Sequence, residues 1–182
     1  MFINNLKEYP KDKYLVIATL ICFLIVIIIE ILIFLPIETP TYGILDFEFA
    51  WTPKKVETIF MAWGNEGMNN QKLAIYWDFL FIIGYAPLAF FLIVFILRRS
   101  SDKVQKIGLY MSITAIFTGT FDIIENINLL QMLNNSSSVT SINALTASLF
   151  ASLKFGFLFA GIIYFIIALI LFLINKIKKR NE

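Results

Sequence analysis

The chain has 182 residues, of which 59% are apolar and 15% are charged, whereas a typical soluble domain is about 45–50% apolar and about 25% charged. A chain of this length cannot bury the excess of apolar side chains in its own core, so a lipid bilayer is their expected solvent. The formal net charge of +2 is too small to indicate a nucleic-acid partner, and the basic residues stand at the ends of apolar runs.

Histidine is absent from the chain, and the single cysteine is Cys22. These counts exclude a disulfide framework, a haem ligated by histidine, a zinc–thiolate site and every Ser-His or Cys-His mechanism. Any chemistry must therefore use carboxylates, lysine, amides, hydroxyls or an external cofactor. A divalent cation is the cofactor that suits such oxygen ligands.

The first apolar run covers residues 14–35, which is long enough to cross a bilayer core of ~30 Å. It is too long for a signal peptide, carries Glu30 and lacks a small-x-small cleavage site. We therefore predict a retained transmembrane anchor, which ends at Pro36.

The segment 37–72 is too polar to span a membrane. Within it, Thr52 and Pro53 are typical of a helix start, and Gly64 is typical of a helix end. The apolar residues between them recur at i, i+3, i+4 and i+7 and form one apolar face. That face comprises Val56, Ile59, Phe60 and Trp63. We expect this short amphipathic helix to lie flat on the membrane surface; the alternative is that it packs over the mouth of the helix bundle.

Three further apolar runs predict the second, third and fourth spans at about residues 73–97, 107–133 and 144–174. The second run contains Gly84 and Pro87, so a kink is expected there. The fourth run exceeds one bilayer thickness and is expected to tilt or to project beyond the surface. The predicted fold is an all-α membrane protein, a single membrane domain covering all 182 residues, with the amphipathic helix between its first two spans.

Lysine and arginine are distributed unequally among the connections. Basic residues precede the first span, fill the turn between the second and third, and follow the fourth, whereas the connection between the third and fourth has none. By the positive-inside rule, both termini face the cytoplasm and the 37–72 segment is extracytoplasmic. The predicted localisation is the plasma (inner) membrane, with a multi-pass topology.

Five charged residues fall within the predicted spans, although each costs roughly 2.5–3.5 kcal/mol near a helix centre. They are Glu30, Asp78, Asp122, Glu125 and Lys154. At a rise of ~1.5 Å per residue, all of them lie in the outer half of their spans. Glu30 is expected to reach water at the outer surface. The others predict a polar pocket that opens outward, in which Lys154 pairs with Asp122 or Glu125.

One face of the third span combines small and polar residues. It comprises Gly108, Ser112, Ala115, Gly119, Asp122 and Asn126. Small residues let helices approach closely, so this face is predicted to point into the bundle. On the second span, Tyr85 lies two turns deeper than Asp78 on the same face and is predicted to join the pocket.

Three segments are informative together, namely residues 45–50 (LDFEFA), 78–85 (DFLFIIGY) and 121–126 (FDIIEN). They resemble an uncharacterised family of small bacterial four-helix membrane proteins. The resemblance covers most of the chain from residue 45 onward and implies a topology but no activity. The residues that it implies belong to one site are Asp78, Asp122, Glu125 and Asn126.

Three functions are compatible with these patterns. The first is a pocket that binds a small ligand, a cation or a lipid headgroup; its residues would be Asp78, Tyr85, Asp122, Glu125, Asn126 and Lys154. The second is a membrane enzyme for a lipid or isoprenoid-like substrate, in which Asp78, Asp122 and Glu125 hold a divalent cation or one acid is a general acid. The third is an accessory subunit whose ion pairs only set helix packing. A transport function would require a homo-oligomer, because four helices are few for a transporter.

Overall fold

The computed structural model describes residues 5–37 and 41–181. Over these residues the chain is helical and contains no strand. Four helices are long and apolar enough to cross a membrane, as the sequence predicts. The helices are α1 (Asp12–Ile29, continued by the π-helical turn Glu30–Phe34), α2 (Ile44–Glu48), α3 (Pro53–Leu97), α4 (Asp102–Asn134) and α5 (Ser141–Asn181).

The second of the four long helices begins well before its predicted span. The span is predicted from residue 73, but α3 starts at Pro53. The hydroxyl of Thr52 accepts a hydrogen bond of 3.3 Å from the backbone N–H of Lys55, which caps this start. The part of α3 before Gly64 corresponds to the segment predicted as a short amphipathic helix.

Gly64 divides α3 into two helical parts that meet at a kink. Among the residues of α3, Gly64 alone has backbone dihedral angles outside the helical region, with a φ of 61° and a ψ of −172°. A side chain disfavours such a positive φ, so glycine is suited to this change of direction. Helical backbone geometry is thus lost at Gly64, where the sequence predicts a helix end, and a second helix follows at once and continues through Pro87.

The apolar face before Gly64 packs against protein. Its four predicted residues are buried in a cluster that also includes Phe47 of α2 and the adjoining ends of α4 and α5. The indole N–H of Trp63 donates a hydrogen bond of 2.7 Å to the carbonyl oxygen of Tyr42. These contacts correspond to the alternative arrangement, a helix packed over the mouth of the bundle.

Close approach between the long helices depends on glycine. A Cβ atom at Gly84 would lie 3.0 Å from Cγ2 of Ile25 on α1, and one at Gly119 would lie 2.9 Å from the Cβ of Ala86 on α3. The predicted small and polar face of α4 is buried along its length. α4 packs against both α3 and α5, whereas α1 packs mainly against α3.

The end of the bundle opposite α2 is joined to the N-terminal segment by Arg98. This guanidinium donates hydrogen bonds of 2.8 and 2.7 Å to the carbonyl oxygens of Leu6 and Pro10 and forms an ion pair with Asp12. Arg99 contacts the same carboxylate at 2.9 Å. An apolar cluster around Leu15, Leu97 and Tyr164 occupies this end. A region of buried polar residues separates this apolar cluster from the cluster at α2. The helices α3, α4 and α5 all contribute to it.

Candidate ligand-binding site

Lys154 of α5 is the centre of a group of buried charges. Its Nζ atom lies 2.9 Å from Oε2 of Glu125, 3.1 Å from Oδ1 of Asp122 and 3.5 Å from Oε2 of Glu48. Lys154 is 7% exposed, and Glu125 is fully buried. The sequence predicts either Asp122 or Glu125 as the partner of this ammonium group. The structure brings both of them to it, together with a third carboxylate from α2.

The helical positions of these residues explain the contacts. Asp122 and Glu125 are three residues apart on α4 and therefore lie on neighbouring positions of one helix face. On α5, Ala147 and Ala151 precede Lys154 on the same face, and both are fully buried. Their small side chains let α5 approach α4 closely, so that the lysine side chain reaches the carboxylates.

Two short hydrogen bonds connect α3 to α4 beside this group. The hydroxyl of Tyr85 donates to Oδ2 of Asp122 at 2.6 Å, and the side-chain amide of Asn126 donates to Oδ2 of Asp78 at 2.6 Å. Asp122 and Asn126 are one helical turn apart on α4, so the two bonds are adjacent. The six predicted pocket residues therefore lie in one connected polar region that joins α3, α4 and α5.

Glu48 belongs to this region although the sequence does not identify it as a site residue. It lies in α2, which has only five residues, too few for a helical periodicity to reveal a buried face. Burial raises the pKa of the Glu48 carboxyl group, and the charge of Lys154 opposes that effect. The sequence feature that could have identified Glu48 is its position between Phe47 and Phe49, in the segment that carries the family resemblance.

A cavity of about 550 Å³ opens beside the polar region, between α1, α2 and α3. This volume is within the range of about 300–1,000 Å³ that is usual for small-molecule sites. Glu48, Asp78 and Asn126 belong to the polar region and also line the cavity, so the two are connected. The apolar lining residues are Phe34, Ile37, Ile44, Leu45, Ala74 and Ile75.

Glu30 also lines this cavity. It is half-buried and is the first residue of the π-helical turn Glu30–Phe34. The sequence predicts that Glu30 reaches water at the outer surface, and the structure adds that it lies on the wall of the cavity.

Gln71 of α3 is a second lining residue that sequence reasoning does not find. It is only 3% exposed.

Acidic groups outnumber basic groups in the polar region. Glu48, Asp78, Asp122 and Glu125 accompany the single ammonium group of Lys154. Both carboxylate oxygens of Glu125 lack a partner with hydrogen-bond geometry within residues 5–37 and 41–181. In the same residues, no group of three or more Asp, Glu or Cys side chains is arranged to hold a metal ion. The hypothesis of a divalent cation held by Asp78, Asp122 and Glu125 thus has no support from their geometry.

The fold and the site define a class: an all-helical protein with four helices that could cross a membrane and a buried charged region beside a cavity. No protein-family model, curated protein or solved structure matches this chain. The resemblance to small bacterial four-helix membrane proteins stays a prediction, and the function must be argued from the site itself.

Proposed function

We propose that this chain is an integral membrane protein that binds a small ligand or a lipid headgroup in an acidic pocket in the outer half of the bilayer. The observation that carries this proposal is the cavity of about 550 Å³ whose lining includes Glu48, Asp78 and Asn126. Polar groups that converge beside apolar walls are typical of a small-molecule site.

The surface of the long helices supports the membrane placement. On α1, the side chains of Leu20, Leu24 and Ile28 are each more than half exposed. Such large apolar surfaces are stable when lipid covers them. The basic residues around Arg98 and Arg99 favour a cytoplasmic position for that end of the bundle. The cavity, which lies towards the other end, would then open to the outer leaflet.

The accessory-subunit hypothesis explains less of the site. Ion pairs that only set helix packing would account for Lys154 and its carboxylates, but they would not require a cavity. The hypothesis of a lipid-directed enzyme uses the same pocket. It would be favoured over binding if a bound lipid were chemically changed by the wild-type protein and left unchanged by an Asp78→Asn variant.

Native mass spectrometry tests the binding proposal. The wild-type protein, Asp78→Asn and the control Glu66→Gln would be purified from the same membranes in a mild detergent. Glu66 is an exposed acid on the same helix, outside the cavity. We expect the wild type and the control to retain a non-protein mass whose occupancy falls about tenfold in Asp78→Asn, as for a loss of about 1.4 kcal/mol of affinity. Equal occupancy in all three proteins, or no bound mass in any, would refute the proposal.

A further inference from the structure

The end of α5 extends beyond the start of α4. Contacts between these two helices proceed in opposite directions along the sequence, as in an antiparallel pair. A Cβ atom at Gly161 of α5 would lie 3.3 Å from Oγ1 of Thr114 on α4. Leu173 follows Gly161 by as many residues as Asp102 precedes Thr114, so Leu173 is level with the first residue of α4. α5 continues to Asn181, which lies ~12 Å further along the helix.

Residues 173–180 of α5 form a projecting segment in which every side chain is exposed. The residue just before it, Phe172, is half-buried and packs against the apolar cluster around Leu15, Leu97 and Tyr164. The packing of α5 against the bundle therefore ends at the level where α4 begins. The surface of the projecting segment is available to groups outside this chain.

The projecting segment has an apolar side and a basic side. Leu173, Ile174 and Ile177 are 47%, 43% and 61% exposed. At 100° per residue these three side chains share a sector of about 100°. Basic residues occupy the rest of the circumference, namely Lys176, Lys178, Lys179 and Arg180. A helix with one apolar side and one basic side is typical of segments that lie in the interface of a membrane.

The four basic residues have no acidic partner among the side chains that the structure describes. At this end of the bundle the described ion pairs join Arg98 and Arg99 to Asp12, and the remaining ones all involve Lys154. Within the projecting segment, Lys176 and Arg180 are four residues apart, and like charges at this spacing on a helix repel each other. Anionic groups outside the chain would relieve this repulsion.

We propose that the projecting segment binds the headgroups of anionic phospholipids in the cytoplasmic leaflet. Its basic side chains contact the phosphate groups, and its apolar side lies against the adjoining acyl chains. The headgroup layer is about 5–8 Å thick on each side of a bilayer, and Lys176 and Arg180 lie ~5 and ~11 Å beyond the level of Leu173. A basic cluster directly cytoplasmic of a transmembrane helix is typical of segments that bind anionic lipids. The proposal rests on the membrane placement proposed above and does not depend on the pocket.

The apolar side of the projecting segment favours lipid over the other anionic partner, an acidic segment of a soluble protein. Acidic side chains would neutralise the basic residues but would leave Leu173 and Ile177 in contact with water. Acyl chains remove these large apolar side chains from water, which is favourable. Lipid therefore satisfies both sides of the segment.

Lipid titration of the purified protein in mild detergent, followed by native mass spectrometry, tests the proposal. Affinities for dioleoylphosphatidylglycerol and dioleoylphosphatidylcholine would be compared, because these lipids have the same acyl chains and differ in headgroup charge. The wild type would be measured beside three triple variants. The neutral variant carries Lys176→Gln, Lys178→Gln and Lys179→Gln. The charge-conserving variant carries Lys176→Arg, Lys178→Arg and Lys179→Arg. The control removes the same number of charges from the opposite end of the bundle, by Lys54→Gln, Lys55→Gln and Lys72→Gln.

We expect the wild type to bind the phosphatidylglycerol at least about tenfold more tightly than the phosphatidylcholine, and this preference to fall about tenfold in the neutral variant. The charge-conserving variant and the control should keep the preference of the wild type. An unchanged preference in the neutral variant, or an equal loss in any of the three variants, would overturn the proposal. A wild-type protein without the preference that instead binds polyglutamate would indicate an acidic protein partner and would also overturn it.

The same spectra separate this proposal from that of the pocket. The non-protein mass that depends on Asp78 should have equal occupancy in the wild type and in the neutral variant, because the pocket and the projecting segment lie towards opposite ends of the bundle. Loss of the lipid preference without loss of that mass supports both proposals. Absence of that mass together with a lipid preference that falls in the neutral variant would refute the pocket and support the projecting segment.

Discussion

The ammonium group of Lys154 lies 2.9 Å from Oε2 of Glu125, in a part of the bundle where the two side chains are almost fully shielded from solvent. Removing two charges from water is costly, and their attraction compensates only when further polar contacts support the pair. Here Asp122 and Glu48 share the same ammonium group. These residues therefore form one interdependent group rather than separate ion pairs.

Removal of the Tyr85 hydroxyl should destabilise the fold. Tyr85→Phe deletes the donor to Oδ2 of Asp122 and leaves a buried carboxylate oxygen without that partner. We expect the free energy of unfolding in mild detergent to fall by about 1–3 kcal/mol. Tyr110→Phe is the matched control, because Tyr110 is 68% exposed on α4, and its effect should be within about 0.5 kcal/mol of zero. Equal effects of the two substitutions would show that the hydrogen bond to Asp122 contributes nothing.

Two glycines on neighbouring helices should respond oppositely to alanine. At Gly119 a Cβ atom would lie 2.9 Å from the Cβ of Ala86, which cannot rotate away, whereas at Gly156 it would meet nothing within 4 Å. We expect Gly119→Ala to lower the free energy of unfolding by about 1–3 kcal/mol through overpacking. Gly156→Ala should be neutral or stabilising by up to about 1 kcal/mol, since alanine favours the helix. Denaturant titration measures both values, and a neutral Gly119→Ala would contradict the close packing of α3 against α4.

The orientation in the membrane can be tested by cysteine labelling. Ser137 and Ser101 are both exposed, in the connections after α4 and after α3 respectively. In a Cys22→Ala background, an impermeant thiol reagent added outside intact cells should label Ser137→Cys and leave Ser101→Cys unlabelled, because the basic connection is cytoplasmic. Permeabilised cells are the control, and there both should react. Outside labelling of Ser101→Cys alone would reverse the orientation.

The four long helices could be predicted because each depends on a local property, a long apolar run. The inward face of α4 could also be predicted from the sequence, because small and polar residues recur there with helical spacing. The proximity of Lys154 to Asp122 and Glu125 agrees with their similar depth in neighbouring helices. Whether these residues bind a ligand stays a prediction.

The remaining features depend on tertiary contacts that no local pattern encodes. Glu48 reaches Lys154 across 106 residues of sequence from a helix too short to have a detectable period. Gln71 lies in the mostly polar segment 64–72, so its burial follows only from how α3 packs. The start of the second helical part of α3 directly after Gly64 could not be predicted, because residues 64–72 are mostly polar and contain no apolar run.

The central claim is that the buried charges form one interdependent site, and a double-mutant cycle on Lys154 and Glu125 tests it most directly. Lys154→Met alone leaves buried carboxylates without their cation and should lower the free energy of unfolding in detergent by about 3–5 kcal/mol. Glu125→Gln alone should also destabilise the protein.

The double variant should lose less than the sum of the two single losses, with a coupling energy of about 1–3 kcal/mol. A cycle with Asp122→Asn should give coupling of the same sign, because Asp122 lies 3.1 Å from the same Nζ atom. Lys154→Met combined with the exposed control Glu66→Gln should be additive. Strict additivity in both the Glu125 and the Asp122 cycles would contradict a shared polar site.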